Sequence, residues 1–289
     1  MRLALGTAQF GLDYGVSNSS GQVAMSEIED ILLEAKNHNI NTIDTAIAYG
    51  NSESILGKVG VSQFNIVTKL PPITRDIDDI DLWVNHQIKS SLSKMRIDKI
   101  SGLLLHRASD LFKEPKGQLF DSLCKLKDEG VVDKIGVSIY NPDELDNIEK
   151  HGIKIDIVQA PFNILDRRLE SSGWLNKLSL AGIEIHTRSV FLQGLLLQKK
   201  AQRNPYFNRW SDYFNMFDEW VSDTKQTPLS ASLNFSYSFD KINKIIVGVQ
   251  NKLQLIEILT SISHNSKISV PSELKIDDPM LINPVNWRF

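Results

Sequence analysis

Four polar side chains in the first half of the chain could together carry out one proton-transfer reaction. They are a carboxylate, a phenol, an ammonium and an imidazole, at Asp44, Tyr49, Lys69 and His106. A phenol has an ordinary pKa of about 10, which is too high for ready proton exchange at neutral pH. A neighbouring ammonium favours the phenolate and would lower that pKa. The sequence therefore predicts that Tyr49 is a general acid whose pKa Lys69 lowers.

The other two residues have matching roles in this hypothesis. Asp44 would pair with Lys69, because burying either charge alone is costly. Tyr49 would donate a proton to a carbonyl oxygen as hydride reaches the carbonyl carbon, and His106 would hydrogen-bond the same oxygen. Taken singly, each residue has a structural interpretation as a helix cap, a packing residue, an ion-pair partner or a rim histidine. Their joint occurrence after successive strands favours catalysis.

The elements that must position these residues are short apolar runs separated by amphipathic helical patterns. Runs that are apolar almost throughout are typical of parallel strands buried on both faces. The eight predicted strands are Leu3–Ala8, Asn41–Ala46, Asn65–Leu70, Gly102–His106, Lys134–Ile139, Ile155–Ala160, Glu184–Val190 and Lys244–Val249.

Eight β–α units in series predict an α/β fold, a single (β/α)8 TIM barrel over residues 1–289. In such a barrel the carboxyl ends of the strands form the active site, and the four polar residues follow strands two, three and four. A doubly wound open sheet is the rival fold. The turn from Gly6 to Gly11 lacks the Gly-x-Gly-x-x-Gly pattern that this rival usually carries.

Composition excludes several other classes of protein. The chain has 32 basic and 35 acidic side chains, so no basic surface for nucleic acid is expected. Its single cysteine, Cys124, excludes an intrachain disulfide and a zinc site built from cysteines. No run approaches 18 apolar residues, so we expect no membrane span. The apolar patch at the N-terminus is too short for the core of a signal peptide, and we expect a cytoplasmic location.

The tetrad lies in motifs that resemble those of the aldo-keto reductases. The segment Asp44-Thr-Ala-Ile-Ala-Tyr49-Gly50-Asn51-Ser52-Glu53 is similar to the family's Asp-x-Ala-x-x-Tyr-Gly signature. Thr68-Lys69 and Leu104-Leu105-His106 are similar to its lysine and histidine at the ends of strands three and four. The resemblance covers nearly the whole chain. It implies catalytic roles for Asp44, Tyr49, Lys69 and His106, and a carbonyl or sugar as the small-molecule substrate.

The same resemblance implies that an extended NADP(H), or less often NAD(H), binds across the barrel mouth. It assigns the nicotinamide end to strands five to seven, the pyrophosphate to the loop after strand seven and the adenosine end to the region after strand eight. The implied cofactor-binding residues are Gly6, Thr7, Ser138, Gln159, Arg188, Ser189, Phe191, Gln193, Gly194, Gly248, Gln250, Lys252, Gln254 and Glu257.

Three positions depart from the family pattern. Ile139 stands where an asparagine usually follows the strand-five serine, and Ile258 stands where an asparagine often contacts adenine. Arg188 aligns with the aromatic residue that stacks on the nicotinamide; a guanidinium can also stack on a planar ring. No arginine occupies the region expected for the 2′-phosphate, and Lys252 is the nearest cation. A preference for NADP(H) is therefore implied by the family and has no support from charge.

The rest of the sequence suggests where substrate specificity lies. Gln9 and Phe10, in the first β–α turn, and Trp287, near the C-terminus, are candidate substrate-pocket residues. Residues 198–227 form an aromatic-rich insertion expected to contain a packed helix, and residues 265–289 form a tail expected to fold over the barrel mouth.

Two other kinds of function remain open. A cofactor-binding sensor or accessory subunit with little turnover is one, because the potassium-channel beta subunits resemble this family. A barrel aldolase or metal-assisted hydrolase is the other, since Lys69 could form a Schiff base. Asp44 and Tyr49 beside Lys69 favour the reductase, and the remaining histidines are scattered without metal-ligand spacing, so no metal is expected.

Overall fold

A computed structural model describes residues 1–16, 18, 20–73, 77–113, 117–262 and 269–288. Its eight parallel strands pair in sequence order, and β1 pairs with β8, so the sheet closes into a barrel. The strands are β1 Leu3–Gly6, β2 Thr42–Asp44, β3 Asn65–Leu70, β4 Gly102–Leu105, β5 Ile135–Ser138, β6 Ile157–Pro161, β7 Glu184–Arg188 and β8 Lys244–Gly248. The predicted (β/α)8 barrel is confirmed.

Helices connect the strands and surround the barrel. They are α1 Ala8–Gly11, α2 Met25–Asn37, α3 Ser52–Val59, α4 Ile80–Met95, α5 Gln118–Asp128, α6 Asp143–Lys150, α7 Arg168–Ser171, α8 Trp174–Leu180, α9 Ser211–Asp223, α10 Pro228–Tyr237, α11 Lys252–Thr260 and α12 Pro279–Ile282. Apolar side chains between these helices and the outer face of the sheet form one large core cluster.

The barrel interior has its own small apolar layer. Val67, Leu104 and Ile157 form a buried cluster that is separate from the main core. Side chains alternate between the two faces of a strand, so the residues two positions further along lie on the same inner face. On β3 and β6 these are Lys69 and Gln159. The strand period therefore places polar side chains directly above an apolar floor.

The two segments that the barrel does not use differ from each other. The insertion 198–227 contains α9 and the 3-10 turns Lys200–Gln202 and Pro205–Trp210, in agreement with the packed helix expected there. The tail from 269 onward packs on this insertion. Trp287 lies edge-on to Phe207 with ring centroids 5.0 Å apart, and its indole N–H donates to the Leu281 carbonyl oxygen at 2.9 Å. Residues 265–268 and 289 of the predicted tail lie outside the described residues.

Candidate active site

A buried ion pair lies at the centre of the barrel mouth. The Lys69 ammonium donates to the two Asp44 carboxylate oxygens at 2.8 and 2.7 Å and to the Thr45 carbonyl oxygen at 3.0 Å. Only 1% of Lys69 is exposed. Thr7 fixes the strand beneath the carboxylate, since its backbone N–H and its hydroxyl both donate to the Asp44 carbonyl oxygen at 3.0 Å. Burial lowers the pKa of the Lys69 ammonium, and the Asp44 carboxylate opposes that effect.

Tyr49 is held beside this pair by a close backbone contact. A Cβ atom on Gly11 would lie 1.8 Å from the Tyr49 carbonyl oxygen, and one on Gly50 would lie 2.3 Å from the Gly11 carbonyl oxygen. Gly50 also has a φ of +56°, which L side chains adopt at a cost. The Lys69 ammonium lies 5.3 Å from the centre of the Tyr49 ring. The two glycines thus let the first β–α turn and the Tyr49 turn touch.

The pKa of the Tyr49 phenol is the property that the sequence mispredicts. Burial is the main cause that raises this pKa, and the Asp44 carboxylate raises it further, while Arg188 lowers it. The expected lowering by Lys69 is therefore wrong. The Lys69 charge is largely compensated by two short contacts with Asp44, so burial dominates. The phenol stays protonated at neutral pH and can donate a proton.

His106 is placed against Tyr49 as a neutral imidazole. The two rings meet edge to face with centroids 5.8 Å apart. Burial, the Lys69 ammonium and Arg188 lower the pKa of His106 to about 4. Its Nδ1 atom is buried and has no hydrogen-bond partner among the described residues. A neutral imidazole can donate one hydrogen bond from whichever nitrogen carries the proton.

Gln159 joins the ion pair to the open cleft. Its amide Nε2 donates to Asp44 Oδ1 at 2.7 Å, while its buried Oε1 has no partner among the described residues. Ser138 lies beside it in register on β5 and is buried. A buried acceptor without a donor is costly, so an amide donor from a ligand would stabilise this site.

A cleft of about 500 Å³ runs from the tetrad across the barrel mouth to α11. Asp44 and Tyr49 line the cleft. Lys69 contacts Asp44, and His106 contacts Tyr49. The other lining residues that the sequence predicted are Gly6, Thr7, Gln9, Gln159, Arg188, Ser189, Phe191, Gln193, Gly194, Gly248, Gln250, Gln254 and Glu257.

Besides Lys69 and His106, four predicted site residues do not line the cleft. Phe10 is fully buried in the main core, and Trp287 packs on the insertion. Ser138 lies beneath the surface of the cleft beside Gln159. Lys252 faces α2, with its ammonium 3.5 Å from the Glu34 carboxylate. The structure therefore brings Gln9 to the cleft but neither Phe10 nor Trp287.

Arg188 is the only cation among the described residues that line the cleft. Its guanidinium lies 4.5 Å from the centre of the Tyr140 ring, donates to the Ile139 carbonyl oxygen at 3.0 Å and contacts the Ser189 hydroxyl at 3.3 Å. No carboxylate of the described residues lies within ion-pair distance of it. The backbone of Ile139 thus anchors Arg188, and Ile258, the third departure, lines the far end of the cleft.

The loop after β7 has an unusual backbone. Ser189, Leu192 and Gln193 have φ values of +64°, +47° and +55°, and Gly194 follows with +90°. Non-glycine residues with positive φ cluster at ligand sites, where alternating conformations direct backbone N–H groups towards an anion. This loop is the place where the resemblance puts the cofactor pyrophosphate.

Several residues that shape the site were not predicted from the sequence. Tyr140, two residues after the end of β5, packs against the Arg188 guanidinium. Thr227, Pro228 and Leu229 line the cleft from the end of the insertion, without a signal in the sequence. Glu53 is buried and accepts hydrogen bonds from the hydroxyls of Thr68, at 2.9 Å, and Ser91. It ties α3 and α4 to the strand that carries Lys69.

The cleft fits an extended nicotinamide dinucleotide. The buried Gln159 Oε1 can accept from a carboxamide, and the loop after β7 suits a diphosphate. Gly6 and Gly248 keep the surface between them free of side chains, and a Cβ atom on Gly248 would lie 2.6 Å from the Gln9 side chain. Asn251 caps α11 at the far end by accepting the Gln254 N–H at 2.9 Å.

Two other kinds of site find no support in the described part of the chain. No group of three histidine, cysteine, aspartate or glutamate side chains there is placed to hold a metal ion. None of the helices described there combines the length and apolar character needed to cross a membrane.

Comparisons with known proteins agree with this geometry. Over 216 residues, 68% of this chain, the sequence is 31% identical to an NADH-specific methylglyoxal reductase of Escherichia coli (strain K12). It is 30% identical over 137 residues, 44% of this chain, to an aldo-keto reductase of Mycolicibacterium vanbaalenii. The matches span 65% and 46% of those relatives' own lengths.

Solved structures share the fold at lower identity. A holo-form aldo-keto reductase from Bacillus halodurans has a TM-score of 0.74 at 20% identity, over 93% of this chain and 88% of that one. The glycerol dehydrogenase of Gluconobacter oxydans has a TM-score of 0.70 at 20% identity, over 94% and 88%. The sequence model of the Aldo/keto reductase family matches residues 2–275. With this match over nearly its whole length, the chain belongs to the aldo-keto reductase family.

Proposed function

We propose that this protein reduces the carbonyl group of a small aldehyde, ketone or sugar with a nicotinamide dinucleotide as the hydride donor. The convergence of Asp44, Tyr49, Lys69 and His106 on one end of the cleft carries the proposal. A buried phenol beside a compensated ion pair and a neutral imidazole is suited to proton donation at an oxygen.

Each residue has a distinct task in the proposed reaction. The bound reduced dinucleotide supplies hydride to the carbonyl carbon. Tyr49 donates its hydroxyl proton to the carbonyl oxygen as negative charge develops there. His106 donates a hydrogen bond to the same oxygen and orients the substrate. Lys69, held by Asp44, packs beside the Tyr49 ring, with its ammonium 5.3 Å from the ring centre, and so helps to position the phenol.

The raised pKa of Tyr49 keeps its phenol protonated at neutral pH, which is the form that donates a proton in the proposed reduction. Gln159 holds the Asp44 carboxylate with Nε2 and offers Oε1 to the nicotinamide carboxamide.

The names of two similar proteins support a small substrate. Methylglyoxal and glycerol, named for one curated relative and one structural neighbour, are both three-carbon compounds. We propose a small carbonyl compound of this kind. Thr227, the last residue of the insertion 198–227, and Leu197, the residue just before the insertion, line the cleft.

Tyr49→Phe tests the general-acid role. We expect a loss of turnover of about 10²- to 10⁴-fold, with the dissociation constant of the reduced dinucleotide changed by less than about twofold. The loss of absorbance at the reduced nicotinamide band measures turnover with a panel of aldehydes, ketones and sugars, and fluorescence titration measures binding. Tyr213→Phe, on α9 outside the cleft, is the matched control.

Two results would contradict the proposal. Full activity of Tyr49→Phe would refute the assignment of the proton donor. Dinucleotide binding without turnover on any carbonyl compound in the wild-type protein would instead favour a sensor or accessory subunit.

A further inference from the structure

We propose that the cleft selects NADH over NADPH, and that carboxylates around the start of α11 exclude the 2′-phosphate. This inference rests on the proposed function, because it concerns the dinucleotide that the same cleft binds. It departs from the NADP(H) preference that the family resemblance implies.

The direction of the dinucleotide in the cleft follows from the chemistry. The reacting nicotinamide carbon must lie at the tetrad end, next to Tyr49. The adenosine end must then lie at the other end, where Gln250, Gln254, Glu257 and Ile258 line the cleft. Among the described charged side chains that line the cleft, Glu257 is the one at that end, and it is exposed.

The two groups at this end that could bind a phosphate are already engaged by carboxylates from α2. The Lys252 backbone N–H, at the start of α11, donates to the Glu27 carboxylate at 3.3 Å. The Lys252 ammonium lies 3.5 Å from the Glu34 carboxylate. A helix N-terminus ordinarily attracts an anion, and here the chain's own Glu27 supplies that anion.

The remaining polar groups at this end are neutral and bonded within the loop. The Gln254 side-chain oxygen accepts the Gln250 N–H at 2.8 Å, and the Asn251 side chain caps the helix. Arg188 is the only cation among the described lining residues, and it lies at the tetrad end, on Tyr140 and the Ile139 carbonyl oxygen. It is therefore too remote to compensate a phosphate on the adenosine ribose.

On the adenosine ribose, NADH carries a 2′-hydroxyl group where NADPH carries a doubly charged phosphate. A carboxylate can accept hydrogen bonds from a ribose diol, whereas a 2′-phosphate requires a cation, ordinarily an arginine. Glu27, Glu34 and Glu257 give three negative charges against one ammonium at this end. Like charges brought together in a binding site weaken binding. The structure therefore accommodates the diol and repels the phosphate.

Equilibrium titrations of the wild-type protein with NADH and NADPH test this inference. We expect NADH to bind at least about tenfold more tightly, measured by protein fluorescence without any substrate. Equal affinity, or tighter binding of NADPH, would overturn the inference and leave the proposed reduction intact. Failure of both dinucleotides to bind would overturn the proposed function as well.

Charge-removing variants test the mechanism of selection. Glu27→Gln with Glu257→Gln should lower the ratio of NADPH to NADH dissociation constants by about tenfold, chiefly through tighter NADPH binding. Glu34→Gln should act in the same direction, because it frees the Lys252 ammonium. Glu29→Gln, exposed on the same helix as Glu27, removes an equal charge and should leave the ratio unchanged. An unchanged ratio in both test proteins, or an equal change with Glu29→Gln, would refute the role of these carboxylates.

Discussion

Arg188 adds a positive charge beside the tetrad that lowers the pKa of both Tyr49 and His106. It is oriented by Tyr140 and by the Ile139 carbonyl oxygen, and no described carboxylate pairs with it. A nicotinamide ring is neutral when reduced and positively charged when oxidised. A guanidinium that faces this ring therefore repels only the oxidised form, an interaction that an aromatic residue would not provide.

Binding of the two redox states measures the effect of Arg188. We expect the wild-type protein to bind the reduced dinucleotide about five- to tenfold more tightly than the oxidised one, and Arg188→Gln to reduce this ratio. Arg188→Lys should retain part of it, and Arg209→Gln, on the insertion, should not alter it. If Arg188→Gln weakens both redox states equally, the guanidinium binds a phosphate and the charge argument fails.

His106 makes the fold sensitive to acid in a defined pH window. The pKa of His106 is about 4, below the ordinary value of 6.5, because of burial and nearby cations. The unfolded chain therefore gains this proton before the folded protein does. The free energy of unfolding should fall as the pH drops from 6.5 towards 4, and His106 should contribute no such change above pH 6.5.

Denaturant titrations between pH 4 and pH 8 check this expectation. His106→Gln should show a smaller loss of stability between pH 6.5 and pH 4 than the wild type, and His86→Gln, at an exposed position on α4, is the control. Identical slopes for wild type and His106→Gln would contradict the lowered pKa. At the residue scale, the sequence located all four members of the tetrad but not the direction of the Tyr49 pKa shift, because that direction depends on burial.

At the scale of elements, the contact between the first β–α turn and the Tyr49 turn sets the position of the proton donor. Gly11→Ala would place a methyl group 1.8 Å from the Tyr49 carbonyl oxygen, so this turn must shift. We expect kcat to fall by about 10²-fold, since small displacements of a catalytic group are costly. The dissociation constant of the reduced dinucleotide should change by less than about threefold.

A remote glycine provides the matched control for Gly11→Ala. Gly152→Ala, after α6, has open space around the new methyl group but a φ of +64°. It should lower the free energy of unfolding by about 1 kcal/mol without changing kcat. Equal kcat values for Gly11→Ala and wild type would show that Tyr49 does not depend on this contact.

The order of elements was predictable from the sequence, but their ends were less so. The β3 strand has the predicted bounds Asn65–Leu70, because its apolar run is sharply limited. Ser26 and Glu29 have the spacing of a capping box, which predicts a helix start after Ser26. The α2 helix instead begins at Met25, and Ala24 at its N-cap makes no side-chain hydrogen bond. The helix is stabilised mainly by packing of its apolar stripe, Ile28, Ile31 and Leu32, in the core. A local capping pattern therefore does not predict where it begins.

At the scale of the whole molecule, the insertion and the C-terminal tail form one packed unit beside the barrel mouth. Trp287 packs on Phe207, and the Trp210 indole N–H donates to the Asp278 carboxylate at 2.9 Å. The two aromatic residues near the end of the tail predict that the tail folds over the barrel mouth. Which surface those aromatics cover depends on the insertion, whose fold the sequence does not reveal.

Trp287→Ala separates a structural tail from one that covers the active site. Removal of a buried indole should lower the free energy of unfolding by about 3–5 kcal/mol. The dissociation constant of the reduced dinucleotide and the KM of the carbonyl substrate should stay within about twofold of wild type, because Trp287 does not line the cleft. Val285→Ala, 60% exposed in the same tail, should change neither property. A rise of tenfold or more in KM for Trp287→Ala, at a temperature where the protein remains folded, would instead place the tail in the substrate site, because a residue that only stabilises the fold leaves substrate affinity unaltered.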